Sequence, residues 1–73
     1  MLKRSVKQAL EPLEFEMQLN LENNYKDLAH DAFIAYAAAI KEFHDAGEIK
    51  DKDFEKLQDH LSELAVMFET YHH

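Results

Sequence analysis

The sequence predicts an all-α fold: a three-helix up-down bundle over about 2–22, 24–46 and 50–71, associated as a dimer. Three observations lead there. Only one Gly and one Pro interrupt 73 residues, so the backbone has few places to break. Phe54, Leu57, Leu61, Leu64, Phe68 and Tyr71 recur at steps of 3, 4, 3, 4 and 3, a heptad-type seam. Asn23-Asn24 and Gly47 then divide the chain into three stretches of roughly twenty residues, the matched lengths of a compact bundle.

The first segment is ambiguous. Leu13 to Leu21 alternates apolar and polar residues, the pattern of a half-buried strand. Its Leu, Glu, Met and Gln are nevertheless good helix formers, none of its residues is β-branched, and no second strand is available to pair with it. As a helix it carries Val6, Leu10, Leu13, Met17 and Leu21 on one stripe and Phe15 with Leu19 on another. Pro12 fits the first turn of a helix beginning near Glu11 or kinks a longer one. The alternatives are an extended first segment, which would pair with its copy in a second subunit, or one long helix running on into the second.

The second segment centres on Ala32 to Ile40, nine consecutive apolar residues rich in Ala. Asn24 is expected as N-cap and Gly47 as the left-handed stop. Leu28, Ala32, Ala35, Tyr36, Ala39, Phe43 and Ala46 make a broad stripe, widened by Phe33 and Ile40, while Ile34 falls nearly opposite. The run is too short for a membrane span, which needs about 20 apolar residues. In the connection, Ile49 is expected to turn inward and Lys50 or Asp51 to start the third helix. Ala65 broadens that helix's seam, and its end is expected to fray at His72-His73.

Around this connection, Ile40 to Ile49 followed by Phe54 and Leu57 resembles the short C-terminal (SHOCT-type) helical hairpin: Asp45-Ala46-Gly47, an Ile two residues on, then an acidic-aromatic helix start. The resemblance covers about a quarter of the chain. It implies oligomerisation or protein contact and brings no catalytic residues. Lys50 departs from the pattern, standing where a Ser or Thr cap is usual. The short acidic composition also resembles small proteins of bacterial phages, without a motif to carry the likeness.

A chain of this size buries only about 60% of its unfolded surface, and the absence of Cys removes disulfides and thiolate sites. Self-association is the remaining common support. The net charge is −7, with Lys3, Arg4 and Lys7 gathered at the start. Direct binding to nucleic acid or an anionic membrane is therefore not expected, and a basic protein surface is the expected electrostatic partner. No apolar run follows the basic start, so no signal peptide is expected and a cytoplasmic setting is.

Chemistry-bearing patterns are thin. His30, His44 and His60 each neighbour an Asp, but helical neighbours diverge by about 100° and do not chelate together. His30 and His44 stand roughly 21 Å apart along one helix. His60 is expected near the middle of the neighbouring helix. His72-His73 are either native or an appended remnant, with at most adventitious metal binding. Ser5 and Ser62 lack a nearby base, and one Gly permits no phosphate loop. No enzyme activity, metal or cofactor is expected.

Two surfaces remain. One stripe per helix leaves Phe15, Leu19, Ile34, Ala37, Ala38, Val66 and Met67 outside the core, and an apolar set of this size points to a protein interface, first with a second copy. Asp51, Glu55, Asp59 and Glu63 recur every four residues, about 6 Å apart along the helix axis. That row reads as a solvated face, or as a phosphate-like row that blocks a basic nucleic-acid-handling protein. The expected function is a non-enzymatic protein-interaction module; the alternative is a phage-type inhibitor built on the acidic row.

Overall fold

The computed structural model describes residues 2–70, with side chains through Phe68. Three helices follow in order: α1 (Arg4–Glu22), α2 (Lys26–Asp45) and α3 (Asp51–Thr70). They form an up-down bundle of 39 × 19 × 17 Å, so the all-α three-helix expectation holds. Lys3 Nζ reaches Glu48 Oε2 at 2.8 Å, which sets the start of α1 beside the end of α2 and fixes the antiparallel sense.

Residues 13–21 are helical, and no strand occurs among the described residues. Their strict alternation also contains the i, i+4, i+8 series Leu13, Met17, Leu21, and burial of Met17 and Leu21 decides for the helix. Pro12 lies inside α1, eight residues after its start. It is exposed, so the carbonyl of Gln8, deprived of its N–H partner, faces the solvent side.

Two similar turns join the helices. Asn24 N–H donates to the Leu21 carbonyl at 3.1 Å and Tyr25 N–H to that of Asn20 at 2.8 Å. Gly47 N–H donates to the His44 carbonyl at 3.0 Å and Glu48 N–H to that of Phe43 at 2.8 Å. Both are Schellman closures, which require a left-handed residue after the cap. Asn24 (φ 66) and Gly47 (φ 79) supply it. Gly47 was expected there; Asn24 was not. It ends α1 instead of capping α2, whose N-cap is Tyr25 without a side-chain cap bond. The amide side chain of Asn tolerates the left-handed region, and that use wins over capping here. Asp51 starts α3, and Ile49 is buried as expected.

The core contains Val6, Leu10 and Met17 of α1, Tyr36 and Ile40 of α2, and Leu61 and Leu64 of α3. Leu13, Phe54, Leu57 and Phe68 pack at its edge. Tyr71 and the expected frayed end at His72-His73 lie outside the described residues. On α2 the buried line is Ala29, Ala32, Tyr36 and Ile40, rotated by about 60° from the expected stripe at 100° per residue. Leu28, Ala35 and Ala46 are exposed. The cause is the position of α3, which packs on the Phe33 side: Phe33 and Phe68 meet edge to face at 5.3 Å. Ala65 is likewise exposed and does not broaden the α3 seam.

Packing is uneven. The backbones of α1 and α2 run close together, α3 approaches α2 over a shorter stretch, and among the described residues no Cα of α3 comes within 8 Å of α1. Long side chains bridge that wider gap.

Candidate interaction surface

Of the seven residues expected at an interface, Phe15, Leu19, Ile34, Ala38, Val66 and Met67 are exposed. Phe15 is 69% and Ile34 53% accessible. Ala37 is different: it is half-buried and packs against the core, because the rotation of α2 carries it toward α3. The exposed residues do not form one continuous patch. Phe15 and Leu19, one turn apart, lie on the outward face of α1; Ile34 and Ala38 lie on that of α2. Val66 is on the far side of α3 from its buried Leu61 and Leu64. Met67 lines a recess with Gln18, Leu21 and Glu22, at the α1–α3 seam.

What the rotation of α2 leaves open is a groove on the side of the α1–α2 hairpin away from α3. Its walls are Leu13 and Leu28, its floor Ala32 and Ala35, and Glu16, Asn20 and Asp31 line the remainder. The volume is about 310 Å³. A second depression of about 400 Å³, formed by Asn24 to Leu28, adjoins it through Leu28. Leu28 is 55% accessible. The spacing of Leu28 and Ala35 predicts core positions, but both are exposed. What would have found the groove is a count of sides: α2 is apolar around most of its circumference, and two neighbours cover only part of it.

The acidic row Asp51, Glu55, Asp59 and Glu63 is exposed throughout. Asp51 is drawn to the turn, where His44 Nε2 lies 2.8 Å from its Oδ1. His44 also stacks on Phe54, with ring centroids 3.8 Å apart and planes 10° from parallel. The other three carboxylates continue along α3.

A polar tie joins all three helices. His60 Nε2 of α3 lies 2.8 Å from Glu14 Oε1 of α1, and its ring meets that of Tyr36 of α2 edge-on at 6.4 Å. The Tyr36 hydroxyl also bonds the Glu14 carboxylate. A carboxylate only accepts, so Nε2 carries the proton that His60 donates. Burial, then the negative charge of Glu14, then that hydrogen bond push the Tyr36 phenol up to about 12. Donors and acceptor are spent on one another, which suits a structural tie. His60 lies near the middle of the neighbouring helix, against Tyr36, as its spacing predicts; nothing in the spacing points to Glu14, which sits at the edge of the α1 stripe.

His30 meets Phe68 edge-on at 6.2 Å, so the three described histidines serve three different contacts. Among the described residues no group of three or more His, Asp or Glu could hold a metal ion, and no helix is long and apolar enough to cross a membrane. No family model, curated protein or solved structure matches the chain.

Proposed function

We propose that this chain is a non-enzymatic protein-interaction module that self-associates and binds another protein. The observation that carries the reading is the amount of large apolar surface left outside the core of so small a domain: Phe15, Leu19, Leu28, Ile34, Val66 and Met67 are all exposed. Scattered exposed residues are ordinary. Here Leu28 instead walls a groove with Leu13 over a floor of Ala32 and Ala35, and surface of that kind marks binding sites. The resemblance of the α2–α3 hairpin to SHOCT-type modules supports the same class.

Sedimentation equilibrium tests the self-association. The wild-type chain is expected as a dimer at tens of micromolar, and Phe15→Asp or Ile34→Asp as a helical monomer. A wild type that stays monomeric at high micromolar concentration removes that part of the reading.

A second reading rests on the exposure of the whole acidic row on α3. In it, the carboxylates occupy the basic groove of a nucleic-acid-handling protein. Capture of such a protein is expected to weaken with salt and to be lost in Asp59→Lys/Glu63→Lys. Capture indifferent to both discards it.

A further inference from the structure

We propose that the groove between α1 and α2 receives a basic amphipathic helix from a different protein. The proposal rests on the interaction-module reading and adds the chemistry of the partner. Three features of the groove carry it.

The first is shape. The floor is made of Ala32 and Ala35, between the side chains of Leu13 and Leu28. Small residues between larger apolar walls let another helix backbone approach closely, which is the helix-in-groove mode of recognition. The side of the hairpin opposite this groove already carries α3, so a docked helix completes a four-helix arrangement.

The second is charge. Glu16 stands on the α1 side and Asp31 on the α2 side. Both are exposed, and among the described residues neither has a hydrogen-bond or ion-pair partner. No basic residue lines the groove. An apolar occupant would strip water from two unpaired carboxylates, which is costly. An occupant with Lys or Arg flanking its apolar stripe would satisfy both and be steered in by the net charge of −7.

The third is what a second copy has to offer. The same face of another copy would set its own Glu16 and Asp31 against these two. The basic residues that gather without acidic ones among them are Lys3, Arg4 and Lys7 at the start of α1, and the apolar residues beside them, Val6 and Leu10, are buried in their own core; Lys52 and Lys56 on α3 stand among Asp51, Asp53 and Glu55. A copy therefore has no free basic amphipathic helix to insert.

The probe is a labelled peptide of about 20 residues built from Leu, Ala and Lys, with apolar residues at i, i+3, i+4 and i+7, alongside a version with Glu for every Lys. Binding is followed by fluorescence anisotropy and by amide chemical shifts of the full chain. The Lys peptide is expected to bind one to one, more weakly as salt rises, and to shift the amides of Leu28, Asp31 and Ala35. Glu16→Lys/Asp31→Lys, at exposed helical positions, is expected to weaken it about tenfold. Asp59→Lys/Glu63→Lys is expected to change it less than about twofold. The proposal is overturned if the Glu peptide binds equally, if the shifts map to Asp59 and Glu63 on α3, if reversal at Glu16 and Asp31 has no effect, or if no peptide binds. Sedimentation in parallel separates this from the broader reading. A dimer broken by Phe15→Asp with no peptide binding overturns the proposal and leaves self-association standing. A wild-type monomer that binds the Lys peptide does the reverse.

Discussion

Tyr36 shows how much a single side chain settles in a domain this small. Its ring is buried in the core while its hydroxyl reaches Glu14. The folded chain holds that phenol's proton to about pH 12, against 10.0 for a free tyrosine. Its contribution to stability is therefore complete below pH 10 and lost as the pH rises from 10 toward 12, on the order of 2 kcal/mol. Helicity followed by circular dichroism is expected to show an alkaline loss in that window. Tyr36→Phe, which has no proton to release, flattens it. Glu14→Ala removes the acceptor for both Tyr36 and His60, and should cost about 2 kcal/mol while letting the phenol titrate nearer pH 10. Ile40, fully buried, is the apolar counterpart: Ile40→Ala is expected to cost about 3 kcal/mol in a urea titration. At Gly47 a Cβ would meet nothing within 4 Å. The cost of Gly47→Ala, about 1 kcal/mol, thus comes wholly from the backbone at φ 79.

At the scale of the helices, local chemistry is not optimal. Pro12 in the interior of α1 removes one hydrogen bond, so Pro12→Ala is expected to raise stability by as much as about 3 kcal/mol. For a domain this short each kcal/mol moves the melting temperature by about 4–8 °C. A Lys50→Ser change ahead of α3 offers a side-chain cap and is expected to add about 1 kcal/mol. The three helices were legible in the sequence because the seams on α1 and α3 are narrow: Val6, Leu10, Met17 on one, Leu61, Leu64 on the other. The orientation of α2 was not legible. With alanines at 35, 37, 38 and 39 and apolar residues nearly all round, its wheel has no sharp polar boundary. Only the placement of α3 against Phe33 decides that Ala29 and Ile40 go in and Leu28 and Ala35 stay out. The outward positions of Phe15, Leu19 and Ile34 followed from being off-stripe. The groove did not, since it depends on the orientation that the wheel leaves open.

For the molecule as a whole, fifteen acidic residues against eight basic ones mean mutual repulsion in the folded state. The exposed pairs Lys3–Glu48 and Lys41–Asp45 offset little of it. Raising the ionic strength is expected to raise the melting temperature modestly, and the neutralised chain is expected to be least soluble near its isoelectric point of about 5.0. The loose fit of α3 has a kinetic corollary. Since it meets α1 across long side chains while α1 and α2 run close together, α3 is expected to come away before the α1–α2 hairpin does. Native-state deuterium uptake should register α3 lifting as a unit, at lower free energy than the hairpin itself comes apart. The protein would then spend a small fraction of its time exposing its own interior, a second and transient face on the same seventy-three residues.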